Sequence, residues 1–231
     1  MLAGADIQSR NELLAALPAA DFSRMLPHFK PVALSEGDIL QQPGARVSYV
    51  CFPFTGVISL LTVMRDGKAV ETRIIGRDGA LGVFAALSSW SANSRAVVQI
   101  SGEGVRMAAA SFQKLVREND KLREIVWRYQ AALVAQANQT AACNALHGAE
   151  SRLARWLLQT SDLIGGETIP LTQEALSQML GVRRTTVTAL ARAFQDMGLI
   201  KYRRGRIEIV SREKLRRASC ECYQPPKSRR R

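Results

Sequence analysis

The sequence predicts an α+β protein: an N-terminal β-roll of the jelly-roll kind, a long dimerisation helix, and a C-terminal winged helix-turn-helix. Three observations carry this. Between Pro31 and Ala109, short apolar runs alternate with turn residues at even spacing, the texture of an all-β barrel or roll. Between Asp120 and His147 there is neither Gly nor Pro, so one long helix is expected. Between Leu171 and Ile209, two short helical patterns meet at Gly181 and two alternating runs follow them.

The last stretch is the most specific. Thr172 is an expected N-cap, because its hydroxyl can accept from a free N–H of the first turn. Glu174 sits where the helix dipole favours an anion. Leu171 and Leu176 are placed as a hydrophobic staple, and Gly181 can end the helix in the left-handed conformation. A second helix is expected from about Arg183, burying Val187, Leu190, Ala191 and Phe194. Arg184, Thr185, Thr188 and Arg192 then share its other face. Ile200-Lys201-Tyr202 and Ile207-Glu208-Ile209 alternate as half-buried strands do, around the cationic turn Arg203-Arg204-Gly205-Arg206.

A helix for the major groove beside a basic hairpin for flanking phosphates is one reading of this pattern. An ordinary helical hairpin with solvated arginines is the other. On the first, Arg184 reads guanine O6 and N7 with its fork of donors, and Thr185 and Thr188 are further base-reading candidates. Thr172, Arg183, Arg192, Lys201, Arg203, Arg204 and Arg206 are the phosphate candidates.

Charge agrees with a polyanionic partner. The chain has 231 residues, 47% apolar, with a net charge of +12. Residues 1–148 hold 15 Lys/Arg and 12 Asp/Glu, a net +3, whereas residues 149–231 hold 17 and 8, a net +9. The shorter part carries most of the charge together with the helix-turn-helix. No apolar run approaches a membrane span of about 18 residues. No basic region followed by an apolar segment opens the chain, so a cytoplasmic protein without a membrane partner is expected. Four cysteines in a chain this long do not make a disulfide scaffold. With two histidines and no Gly-rich phosphate loop bearing a Lys, no catalytic set can be assembled, and no enzyme is expected.

Residues 6–29 read as one or two short amphipathic helices, with Leu13, Leu14, Leu17, Phe22, Met25 and Leu26 as core candidates. Strands are expected over Val32–Leu34, Tyr49–Phe52, Val57–Val63, Val70–Ile75, Val97–Ile100 and Val105–Ala108, and a short helix over Ser111–Glu118. In the long helix a 4,3 spacing links Leu122, Val126, Tyr129, Leu133, Gln136, Thr140, Cys143 and His147. Such a seam pairs with a second helix or packs on its own barrel; the length favours pairing. Gly148 is the expected hinge, Glu150–Leu163 the next helix, and Gly165-Gly166 its end. The expected domains are 1–119, the β-roll sensor; 120–148, the dimerisation helix and hinge; 149–219, the winged helix-turn-helix; and 220–231, a basic tail.

This order resembles the Crp/Fnr family of bacterial transcription regulators. Ser35-Glu36-Gly37-Asp38-Ile39-Leu40, Gly44, Tyr49-Val50-Cys51-Phe52 and Gly56-Val57-Ile58 look like its β-roll signature. Asp78-Gly79-Ala80-Leu81-Gly82-Val83-Phe84 looks like its phosphate-binding cassette, and Gly181-Val182-Arg183-Arg184-Thr185-Thr186-Val187 like its recognition-helix entry. The resemblance implies a homodimeric transcription regulator on pseudo-palindromic sites, with RNA polymerase as a further partner. It also places an effector pocket at Gly79, Ala80, Leu81, Gly82, Arg95 and Ala96.

Departures from the family pattern carry information. Cyclic-nucleotide-binding members place a Glu where this chain has Ala80, which can accept no hydrogen bond from a ribose. Their Arg-Ser pair is Arg95-Ala96 here. A cyclic-nucleotide-dependent regulator with a remodelled pocket is therefore the second reading. The family's iron–sulfur branch uses N-terminal cysteines, whereas Cys51 is the first here. Cys143 and His147, four apart on one helix face, and Cys220 and Cys222 hold the ligand types for zinc or a redox switch. Cys-x-Cys is tighter than the usual zinc-knuckle spacing, and the expectation is reduced thiols with no metal and no cofactor.

Overall fold

The computed structural model describes residues 4–88 and 91–225, which fall into two compact units. One comprises Met1–Thr62 with Arg73–Gln136, the other Val63–Thr72 with Ala137–Arg231. The expected basic tail lies largely outside the described residues, as do residues 89–90 of the polar stretch before Arg95.

The first unit opens with three short helices, α1 (Gly4–Ser9), α2 (Glu12–Ala15) and α3 (Ala19–Met25), and a 3-10 turn at Leu26–His28. Asn11 caps α2 by accepting from the N–H groups of Leu13 and Leu14. Its amide also donates to the carbonyls of Pro53 and Gly79, both at 2.9 Å, so this buried side chain tethers the helix to the roll.

The roll is two antiparallel sheets. β1 (Lys30–Leu34), β7 (Gly102–Ala108) and β3 (Tyr49–Pro53) form one; β2 (Ile39–Gln41), β6 (Arg95–Ile100), β4 (Val57–Val63) and β5 (Ala69–Ile75) form the other. Strand alternation sorts the side chains. Leu34, Cys51, Ile58, Ile75 and Val98 fill the space between the sheets. Val50, Phe52, Val105 and Met107 point the other way, onto the helices. β2 was not anticipated: three residues, partly exposed, give too short an alternation to register.

A short helix α4 (Val83–Leu87) lies between β5 and β6, and α5 (Ala109–Glu118) follows β7. α6 runs from Asp120 to Leu146, as the absence of helix breakers predicts. Its seam needs correcting. Leu122, Val126 and Tyr129 are buried in the chain's own core beside Phe112 and Met25, and Leu133 packs against the same cluster. This stripe faces the barrel, because a 4,3 spacing identifies an apolar face and not what covers it. The exposed apolar residues lie elsewhere on the helix. Trp127 is 69% exposed and Val134 60%, and with Ala131 and Asn138 they make a second 4,3 series.

In the second unit α7 (Ala149–Ile164) buries Leu153, Trp156, Leu157 and Leu158, and Gly165 closes it at φ +69°. Trp156 donates its indole N–H to Glu71 at 2.8 Å, near the tip of the β4–β5 hairpin. β8 (Thr168–Pro170) leads into α8 (Gln173–Leu180) and α9 (Arg184–Asp196). β9 (Ile200–Arg203) and β10 (Arg206–Ile209) complete a sheet in the order β8-β10-β9, and α10 (Arg212–Ala218) packs back on α7. No helix of the described residues is long and apolar enough to cross a membrane.

Candidate nucleic-acid interface

α8 is built as its residues dictate. Thr172 caps it, accepting from Ala175 N–H at 3.2 Å, and Leu171 and Leu176 are buried as the staple requires. Gly181 adopts φ +63° and bonds back to the Gln178 carbonyl, turning the chain within three residues into α9.

α9 buries Val187, Ala191 and Phe194 against the unit's core. Leu190, expected to be buried with them, is only partly covered. Arg184, Thr185, Thr188 and Arg192 are all exposed on α9, and its N-cap Arg183 is exposed just before them. Arg184 Nε lies 3.7 Å from Glu174, both side chains more than half exposed. Such a pair is weak in water and leaves the guanidinium available to a stronger anion. The Thr188 hydroxyl donates to the Arg184 carbonyl at 3.0 Å, with the Gln173 side chain 3.3 Å away. Its methyl is then the part left for a base edge.

In the β9–β10 hairpin Arg203 pairs with Arg206, leaving a two-residue loop in which Arg204 (φ +50°) and Gly205 (φ +71°) are both left-handed. That is the type I′ geometry whose twist matches the strands. Four consecutive positions, three of them arginines, therefore form a tight cationic tip. Lys201 sits opposite Glu208 in the register, 4.0 Å apart. Gln195 of α9 accepts from the Tyr202 N–H at 2.9 Å, fixing hairpin to helix. Nothing in the sequence marked Gln195 or Gln173, since polar residues on an exposed helix face carry no periodic signal.

The residues of the expected effector pocket are engaged within the roll. Ala80 is buried, with its backbone N–H and C=O both bonded to the Tyr129 hydroxyl. Tyr129 also closes on Gly79, where an added Cβ would stand 2.5 Å from the phenol oxygen. Ala96 is buried in β6, and Arg95 donates to Gln42 at 3.0 Å. Of the six residues, Leu81 lines a cavity. That cavity, about 370 Å³, is walled by β1, β2, β3, β7 and the turn between β2 and β3, with Gln41, Gln42, Arg46, Ser48 and Arg106 among its polar members. The sequence reading missed it because its walls come from separate strands.

Cys143, His147, Cys220 and Cys222 are brought together, their ligand atoms all within 4.8 Å of one another. Burial raises the pKa of Cys143, and Arg155 nearby opposes the rise.

Residues 151–218 match the model of the Crp-like helix-turn-helix domain. No curated protein matches the sequence significantly. Among solved structures, the chain is similar to FixK2 from Bradyrhizobium japonicum at 16% identity and a TM-score of 0.71, covering 83% of this chain and 98% of that one. It is similar to a crp/fnr-family transcriptional regulator from Eubacterium rectale at 15% identity and a TM-score of 0.69, covering 91% and 98%. The c-di-GMP-responsive global regulator CLP from Xanthomonas campestris gives 14% and 0.69, covering 84% and 100%.

The C-terminal unit therefore contains a DNA-binding domain of the Crp-like helix-turn-helix class. The chain has the fold of the Crp/Fnr transcription regulators.

Proposed function

We propose that this protein is a cytoplasmic, homodimeric regulator that binds pseudo-palindromic promoter sites and acts on RNA polymerase there. The observation that carries the reading is the exposed surface of α9 and its N-cap, bearing Arg183, Arg184, Thr185, Thr188 and Arg192, with the arginine tip of the following hairpin. In this reading Arg184 reads a guanine, Thr185 and Thr188 contact neighbouring bases, and Thr172, Arg183, Arg192, Lys201, Arg203, Arg204 and Arg206 engage phosphates.

Pairing of two copies is supported by the exposed series Trp127, Ala131, Val134 and Asn138 on α6. Large apolar side chains separated by a small one at 4,3 spacing suit knobs-into-holes packing of identical helices. Two α9 helices would then meet half-sites about one helical turn apart. The 370 Å³ cavity of the roll, with Arg46 and Arg106 in its wall, suits a small polar effector of negative charge. Selection of bound fragments from genomic DNA, followed by footprinting of the enriched sequence, is the test. An enriched two-fold-symmetric site supports the reading, and retention of random fragments alone refutes it.

A further inference from the structure

We propose that Cys143, His147, Cys220 and Cys222 form a tetrahedral zinc site that clamps the C-terminal segment of the chain onto the end of α6.

The four residues come from two places. Cys143 and His147 are one helical turn apart near the end of α6, so both project from one face. Cys220 and Cys222 follow α10 in a tight turn closed by Tyr223 N–H to the Cys220 carbonyl at 3.0 Å. The turn holds both sulfurs beside α6, Cys220 Sγ next to Cys143 and Cys222 Sγ next to His147. Tyr223 in turn donates to Asp162 of α7 at 2.8 Å and accepts from Arg212 at 2.9 Å, so the segment is held independently of the cysteines.

Two of the inter-ligand distances already match those around one small ion, and all four ligand atoms lie within 4.8 Å of one another. A tetrahedron with Zn–S near 2.3 Å and Zn–N near 2.0 Å has edges of roughly 3.8 Å between sulfurs and roughly 3.5 Å between sulfur and nitrogen. Cys143 Sγ and Cys220 Sγ are 3.6 Å apart, and Cys222 Sγ is 3.5 Å from His147 Nδ1. Donors this close leave no room for an iron–sulfur cluster. Three thiols and an imidazole select zinc over the hard cations, which take oxygen.

The surroundings point the same way. His147 Nε2 lies 3.1 Å from Glu221, and an N–H donated there leaves the Nδ1 lone pair aimed at the sulfurs. That carboxylate–histidine arrangement orients imidazoles at metal sites. Gln139 donates its amide to Cys222 Sγ at 3.0 Å, a bond that stabilises a thiolate. On binding, the three thiols lose their protons to solvent, and the resulting site carries one net negative charge, with the Arg155 cation nearby.

The test uses the full-length chain purified under reducing conditions. We expect about one zinc per chain by elemental analysis, and, after chelation and Co(II) addition, an intense thiolate-to-cobalt charge-transfer band with tetrahedral d–d absorption. Cys220→Ser with Cys222→Ser should abolish both while far-ultraviolet circular dichroism stays native; Cys51→Ser should change neither. Glu221→Gln should weaken zinc by roughly 10- to 100-fold without removing a ligand. The proposal does not depend on DNA binding, since metal content is read directly. A folded, reduced wild-type chain that takes up neither ion overturns it. So does a cobalt spectrum lacking the thiolate band, or a Cys143–Cys220 disulfide in protein that binds no zinc.

Discussion

The hydroxyl of Tyr129 accepts from the N–H of Ala80 at 2.9 Å and donates to the carbonyl of the same residue at 3.0 Å. A side chain of α6 thus satisfies both backbone groups at the centre of the cassette, 49 residues away in sequence. Arg73 lies over the Tyr129 ring, 5.3 Å from its centroid, which adds a cation–π contact from the opposite side. Tyr129→Phe removes both bonds, together with a longer one accepted from Arg73 at 3.4 Å, and keeps the ring. Two buried backbone groups are left unpaired, so the variant should lose about 2–4 kcal/mol of stability, read from the urea midpoint. A loss below about 0.5 kcal/mol would mean that water reaches Ala80.

Closure by Tyr129 also bears on the signal. A cyclic nucleotide needs an acceptor for its ribose hydroxyl, and Ala80 has none on its side chain, while its carbonyl is already engaged. An unpaired buried hydroxyl costs roughly 1–3 kcal/mol, or about one to two decades in affinity. Calorimetry with cyclic AMP and cyclic GMP should therefore show binding weaker than micromolar, and DNA binding should not require either. Micromolar affinity together with nucleotide-dependent DNA binding would establish the remodelled-pocket reading instead.

Two variants of α6 separate folding from assembly. Val126→Glu places a carboxylate in the core of the first unit, where an uncompensated buried charge costs about 3–5 kcal/mol, and should leave little folded protein. Trp127→Glu with Val134→Glu should fold normally and sediment as a monomer, with specific DNA binding lost. A double variant that remains dimeric would show that copies pair through another face.

DNA recognition divides into two kinds of contact. Arg184→Ala should cost about 1–3 kcal/mol on the preferred site and relax discrimination at one base pair per half-site. Lys201→Ala should weaken preferred and random DNA alike and reduce the salt dependence by about one counterion per subunit. Anisotropy titrations over a salt series measure both. Equal losses on both DNAs for Arg184→Ala would remove it as a base reader.

Much of the fold was readable because its signals are local. Thr172, Leu171, Leu176 and Gly181 each act within one helical turn, and together they delimit α8 almost to the residue. The ends of β4 follow from Gly56 before it and Asp66-Gly67 after it. What escaped depends on partners distant in sequence. β8 is only three residues long and exists because Ile169 is buried opposite Ile207 of β10. α10 is short and polar apart from Leu215, which is fully buried. Asn11 looks like any turn asparagine until Pro53 and Gly79 are brought to its amide.

The same limit bears on two further sites. The 4,3 stripe from Leu122 to Leu133 is real, but a stripe suited to packing is equally suited to the roll or to a second helix. The adjacent Trp127 series is interrupted by alanines and Asn138, which lowers its apolar contrast without lowering its exposure. For the cysteines, a gap of 77 residues separates Cys143 from Cys220, and spacing along the chain says nothing about a pair joined only by tertiary packing.

Trp127 and Trp156 occupy opposite environments, one 69% exposed on α6 and the other 3% exposed within the C-terminal unit. Their indoles therefore emit differently, the first in water and red-shifted, the second in an apolar setting and blue-shifted. With Trp90 replaced by Phe, this chain becomes its own two-channel spectroscopic reporter. If copies pair through the proposed Trp127 face, dilution would move the Trp127 component alone, and denaturant would move the blue. Subunit exchange, unfolding and their order in time could then be followed in one cuvette without attaching a dye.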